Sequence, residues 1–112
     1  MARPERGALE DIDRLFHALG DPTRRRMIEL LGERPFSVSA VADRFGVTLT
    51  AISQHLRLLE EAGLVRTEKL GRTRSCQLEP GGLAQVQAWL LDRRSTWERR
   101  LDDLARILDE ES

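Results

Sequence analysis

Ser39-Ala40-Val41-Ala42-Asp43-Arg44-Phe45-Gly46-Val47-Thr48-Leu49-Thr50-Ala51-Ile52-Ser53-Gln54-His55-Leu56 is the stretch that decides the fold. It reads as two short helices joined by a tight turn. Val41, Ala42, Phe45, Val47, Ile52 and Leu56 are apolar where two crossed helices need a shared core, and Ala42 is small where they would touch. Gly46 sits where the turn calls for a positive φ. Thr48 can cap the second helix through its hydroxyl. Beyond that cap, Thr50, Ser53, Gln54 and Arg57 recur at i, i+3, i+4 and i+7 and so share one polar face. A solvated face usually carries Glu and Lys. This one carries hydroxyl, amide and guanidinium groups, which are suited to base edges and phosphates. The pattern predicts a helix-turn-helix that reads DNA with the helix beginning at Thr48.

The flanking sequence predicts further elements. Leu9, Ile12, Phe16 and Leu19 mark a first helix from about Leu9 to Leu19, ended by Gly20. Asp21-Pro22 restarts a helix that runs to Leu31, with Asp21 as cap and Pro22 at the first helical position. Arg24, Arg25 and Arg26 lie in its first turns, against the helix dipole. Two readings stand for them: solvated surface, or contacts to phosphates or nearby carboxylates. The next helix starts near Ser37 or Ser39, and the recognition helix runs from Thr48 to about Ala62, with Gly63 at its end. The period then changes. Leu64 to Leu70 and Thr73 to Leu78 read as two strands around a Gly71-Arg72 turn, a ribbon with a basic tip. Such a ribbon is marginal alone and must pack on the helices. Pro80-Gly81-Gly82 reads as a break, followed by a long helix from about Leu83 to Asp109.

That last helix carries Leu83, Val86, Leu90, Trp97, Leu101, Leu104 and Leu108, which approximate a heptad seam interrupted near Arg93 and Arg94. One small domain has little core to cover so long a stripe. The expectation is pairing with the same helix of a second copy, aided by the first helix. The candidate interface is Leu9, Ile12, Phe16, Leu90, Trp97, Leu101, Leu104 and Leu108; the competing reading folds the helix back on its own domain. The sequence thus predicts a mainly α fold with a two-stranded β-wing. It is one domain, residues 1–112, with the helix-turn-helix at 38–62, the wing at 64–78 and the dimerisation helix at 82–109.

Composition sets bounds. The 112 residues are 33% charged and 4% aromatic, with one cysteine and a formal net charge of −1. That charge argues mildly against a nucleic-acid binder. Its distribution argues the other way: the ribbon carries Arg66, Glu68, Lys69, Arg72 and Arg74, a net positive set, whereas Asp102, Asp103, Asp109, Glu110 and Glu111 gather at the C-terminus. No apolar run suits a bilayer span, and the N-terminal residues Met1 to Arg6 lead into no apolar segment of a signal peptide. One cysteine without an export signal fits the cytoplasm. No nucleophile–base pair, phosphate-binding glycine loop or metal cluster is legible, so an enzyme is not expected, nor is a cofactor.

The order of elements is that of a winged helix-turn-helix. The residues also resemble the ArsR (ArsR/SmtB) transcriptional repressors. The resemblance rests on Ala18-Leu19-Gly20-Asp21-Pro22-Thr23-Arg24, Ile52-Ser53-Gln54-His55-Leu56 and Leu58-Leu59-Glu60-Glu61-Ala62-Gly63-Leu64-Val65, together with Gly71-Arg72-Thr73-Arg74 and Leu78-Glu79-Pro80. It spans nearly the whole chain. It implies a homodimeric repressor that binds a DNA operator near its own promoter, with an effector that shifts the dimer between bound and released forms. The founding members sense metals or metalloids, and one of their sites is a Cys-x-Cys pair that corresponds to Ser37 and Ser39 here. Hydroxyls are poor ligands for soft metals. The other common site needs histidines that the last helix lacks, and His17, His55 and Cys76 lie on separate elements. The expectation is a member without a metal site; the sequence shows neither whether an effector exists nor what it would be.

Roles follow for individual residues. Thr50, Ser53 and Gln54 are the base-reading candidates, and the Gln54 amide has the donor and acceptor to meet adenine N6 and N7. Leu49 departs from the polar residue usual in the family; it touches a thymine methyl or packs locally. Thr48 caps and can reach a phosphate, and Arg57 is a phosphate candidate. His55 lies at the edge of the buried stripe, where a DNA-side role and a hydrogen-bonded place beside the core are equally open. Lys69, Arg72 and Arg74 are candidates for the backbone or the minor groove. Cys76 is either a small strand residue or an oxidation sensor, and the latter needs exposure and a low pKa. Trp89 and Trp97 suit a dimer core or an effector pocket. A winged-helix module for protein interaction, without DNA binding, is the alternative function, supported by the net charge.

Overall fold

The computed structural model describes the backbone of residues 4–111 and the side chains of residues 10–111. Five helices and three short strands follow one another as α1 (Pro4–Leu19), α2 (Pro22–Leu31), β1 (Phe36–Ser37), α3 (Val38–Phe45), α4 (Leu49–Glu61), β2 (Val65–Leu70), β3 (Thr73–Leu78) and α5 (Pro80–Glu111). The helix boundaries have local chemical causes. The Asp21 carboxylate accepts the Arg24 N–H at 3.0 Å and caps α2. The Ser37 hydroxyl accepts from Ala40 N at 3.1 Å to cap α3, and the Thr48 hydroxyl accepts from Ala51 N at 3.1 Å to cap α4. Gly46, at φ 64°, makes the left-handed turn between α3 and α4.

The core is assembled from every element except the far part of α5. Leu15 and Ala18 of α1 meet Met27 and Leu31 of α2, Val41 and Ala42 of α3, and Ile52, Leu56 and Leu59 of α4; Phe36, Leu64, Val65 and Cys76 close it from the sheet side. The face that α1 buries therefore centres on Leu15 and Ala18, with Ile12 and Leu19 at its edge. Phe16 leaves that stripe and lies edge-on to Trp89 of α5, with ring centroids 5.2 Å apart. Leu9 lies outside the residues whose side chains are described.

The hairpin forms as expected, and two details go beyond or against the sequence reading. A short third strand joins the wing: β1 pairs antiparallel with β3, Phe36 opposite Cys76, giving a three-stranded sheet in the order β1-β3-β2. This pairing supplies the packing that a lone hairpin would lack. Pro80-Gly81-Gly82 is not a break but the first turn of α5. Proline has no N–H to lose at the first helical position. Gly82 is buried, and a Cβ there would run into the Gly63 carbonyl, so glycine lets α5 start directly against the end of α4.

From that start α5 runs for 32 residues, about 48 Å at 1.5 Å per residue. Leu83 and Val86 pack on the core. Farther along, Leu90, Leu91, Trp97, Leu101, Leu104, Ile107 and Leu108 are all exposed, Leu101 at 64%.

Candidate nucleic-acid interface

The three buried side chains of α4 leave its opposite side to solvent. Thr48, Leu49, Thr50, Ser53, Gln54 and Arg57 are exposed, so the structure keeps the predicted reading residues together on one open face. Leu49 is 53% exposed in the first turn. The Arg57 side chain is 81% exposed, and its Nε donates to Glu61 Oε1 at 3.1 Å. An exposed i,i+4 pair of this kind is worth little and does not hold the guanidinium from a phosphate.

A groove of about 600 Å³ separates this face from the wing. Leu49, Ser53, Arg57 and Glu60 line it from α4, Ser37 and Ser39 from the start of α3, and Thr67, Arg72, Thr73 and Arg74 from the hairpin. Gly71, at φ 63°, makes the hairpin turn beside Arg72. Arg74 donates through Nε and an Nη to the Thr67 hydroxyl at 3.2 and 3.1 Å, which points its guanidinium along the hairpin. Lys69 stands opposite Arg74 in the ladder and does not line the groove. Ser39, Thr67 and Thr73 were not among the predicted site residues. Their signal was there, in small hydroxyls that flank the basic positions of the ribbon, but it is weak without the groove.

His55 is placed elsewhere. It is half-buried on the inner flank of α4, with Nδ1 3.4 Å from an Arg24 Nη and 3.9 Å from Asp21 Oδ2. Arg24 is buried, and its Nε and other Nη donate to the carbonyls of Ala18 at 2.7 Å and His17 at 3.2 Å. Arg25 donates to the Leu19 carbonyl at 2.6 Å. These two arginines thus satisfy the last carbonyls of α1, where the helix dipole favours positive charge. The carbonyl contacts add to the two readings given to the arginine run: Arg25 and Arg26 are exposed, and the charge of Arg24 acts on the nearby Asp21 carboxyl. The carboxyl of Asp21 is held below its ordinary value, first by the Arg24 N–H it accepts and further by the Arg24 and His55 charges.

Cys76 is fully buried, and its thiol donates to the Phe36 carbonyl at 3.1 Å. Burial pushes its pKa up to about 11, the opposite of what a reactive thiol needs. The Ser37 hydroxyl is engaged as the α3 cap. Among the described residues no cluster of His, Cys, Asp and Glu converges on a point where a metal ion could sit, and no helix is long and apolar enough to cross a membrane. Trp89 is taken up within the chain, edge-on to Phe16 and under the Arg93 guanidinium at 4.8 Å, whereas Trp97 is exposed.

Two packed helices with a left-handed glycine turn, an open polar helix face and a basic hairpin across a groove define a winged helix-turn-helix regulator. Comparison with known proteins gives the family. Residues 19–68 match the helix-turn-helix domain model. The chain is 38% identical over 99 residues to the HTH-type transcriptional regulator Rv2034 of Mycobacterium tuberculosis, covering 88% of this chain and 90% of that one. It is 27% identical over 81 residues to the transcriptional repressor SdpR of Bacillus subtilis, covering 72% and 90%. A solved ArsR family transcriptional regulator, RHA00566, superposes with a TM-score of 0.75 at 37% identity, over 88% of this chain and 97% of that one. The chain belongs to the ArsR family of winged helix-turn-helix transcriptional regulators.

Proposed function

We propose that this protein is a homodimeric repressor that binds a palindromic operator, with the N-terminal part of α4 in the major groove. The observation that carries this reading is the open face of Thr50, Ser53 and Gln54 across a groove from Arg72 and Arg74. Gln54 and Ser53 read base edges, and Leu49 offers an apolar contact to a thymine methyl. Thr48, Arg57, Lys69, Arg72 and Arg74 contact the backbone or the minor groove. His55 is left out of the DNA-touching set, because it faces Arg24 and Asp21.

The second copy is called for by α5. Its exposed stripe of Leu90, Trp97, Leu101, Leu104 and Leu108 matches a helix that covers its partner, and Ile12 and Phe16 of α1 lie where α1 could join it. Leu91 and Ile107, which the sequence reading passed over, widen the stripe. A two-fold dimer presents two reading helices, so half-sites should lie about one helical turn, roughly 10 base pairs, apart. The protein acts by binding rather than by catalysis, in the cytoplasm where the operator is.

An unbiased selection of genomic fragments at low salt, followed by footprinting, tests the reading. A paired, symmetric footprint is expected. Enrichment of no fragment would favour the protein-interaction module instead, the reading that the net charge of −1 supports.

A further inference from the structure

We infer that Arg24 is a positioning residue for DNA reading, which through His55 fixes the recognition helix against the corner between α1 and α2. The inference rests on the proposal that α4 reads the operator. Ile52, Leu56 and Leu59 turn one face of α4 into the core, and a hydrogen bond at the edge of that stripe adds a directed contact to it. Hydrogen bonds supply direction. Arg24 is the one charged residue buried among the described side chains, at 9% exposure. Its planar fork spends two directions on the Ala18 and His17 carbonyls, at 2.7 and 3.2 Å, and the third faces His55 Nδ1 at 3.4 Å, which accepts from it in the neutral tautomer that carries its proton on Nε2. Asp21 completes the corner: its carboxylate accepts the Arg24 backbone N–H at 3.0 Å and lies 3.9 Å from His55 Nδ1.

The end of α1, the start of α2 and the middle of α4 therefore meet at one guanidinium. An apolar side chain would fill the same space without the cost of burying a charge. What it would not supply is a directed contact to α4. His55 is the residue after Gln54, so the angle at which Gln54 meets a base is set next to this contact. Because α1 also lies beside α5, the same contact ties the reading helix to the dimer half of the molecule.

The test compares His55→Phe, His55→Gln, Arg24→Met and the double variant His55→Phe/Arg24→Met as full-length protein. Each is titrated against the selected operator and against unrelated DNA over a range of salt. His55→Phe should lose about tenfold in operator affinity, the size of one directed hydrogen bond. Affinity for unrelated DNA and the salt slope should stay at wild-type values, because no phosphate contact has changed. His55→Gln keeps an acceptor and should recover most of the loss. The double variant should be no weaker than the weaker single, because the two side chains act as a unit. Equal losses on operator and unrelated DNA, failure of Gln to restore binding, or additive losses, as direct DNA contact by His55 would give, would each overturn the inference. If Arg24→Met does not fold, the two His55 variants decide alone. Ser53→Ala/Gln54→Ala in the same titration separates the two failures: if it too binds like wild type, the reading role of α4 fails, not the Arg24 contact.

Discussion

The head of the molecule and the far half of α5 use the same residue type to opposite effect. Leu15, Leu59 and Leu64 in the head are fully buried, whereas Leu101, Leu104 and Leu108 on α5 are more than half exposed. The head is a finished core with its helix ends capped by its own side chains. The stalk leaves its leucines open to solvent, and in the proposed dimer they are half of an interface. A leucine stripe in the sequence is thus evidence of burial without saying against what; the head lacks the surface to cover a helix of about 48 Å.

The largest expected effect comes from breaking the stalk. Leu101→Glu/Leu104→Glu should give a folded monomer by sedimentation or scattering and lower operator affinity by at least a hundredfold, because bivalent engagement is lost. Far-ultraviolet circular dichroism with a dimeric mass would contradict the assignment of that stripe. In the head the same kind of change acts on folding instead. Ile52→Ala should cost about 2–5 kcal/mol in denaturant unfolding. Gly82→Val should be of similar weight, since its Cβ would overlap the Gly63 carbonyl. A fully stable Gly82→Val protein would show that α5 is not held at that point.

Smaller effects sharpen the contrast between the reading face and the wing. Arg72→Ala should weaken binding to all DNA alike and reduce the salt slope by about 1, as for one lost phosphate contact. The smallest effect is at the sheet. Cys76 has its pKa raised from 9.0 to about 11, so the folded chain keeps a proton that the unfolded chain loses. Its contribution to stability is complete below pH 9 and declines as pH rises toward 11. Cys76→Ala should flatten the fall in melting temperature across that range, and the native thiol should resist alkylation until the chain unfolds. Rapid alkylation of the native protein would restore the sensor reading.

Much of this was legible in the sequence because it is local. Asp21, Ser37, Gly46 and Thr48 sit at fixed offsets from the helices they begin or end, and short-range rules find them. The i, i+3, i+4, i+7 spacing of Thr50, Ser53, Gln54 and Arg57 put those four on one face, and all four are exposed. What escaped depends on contacts between distant segments. The β1–β3 pairing joins Phe36 to Cys76 across 40 positions, and two residues of strand leave no period to detect. Gly82 reads as a breaker until Gly63 is seen against it. Arg24 looks like one of three equivalent arginines, and only the fold shows its guanidinium among the α1 carbonyls beside His55. The groove follows the same rule: the exposed face of α4 is readable from spacing within one helix, while Ser39, Thr67 and Thr73 line the groove only because distant segments meet there.

The central claim is that the exposed face of α4 reads sequence while the wing grips without reading it. Titration of Ser53→Ala/Gln54→Ala against the operator and against unrelated DNA tests it most directly. The account predicts a loss on the operator of about 1–3 kcal/mol per good base contact, with an intact dimer and unchanged affinity for unrelated DNA. Wild-type affinity for the operator, or an equal loss on both DNAs, would contradict it.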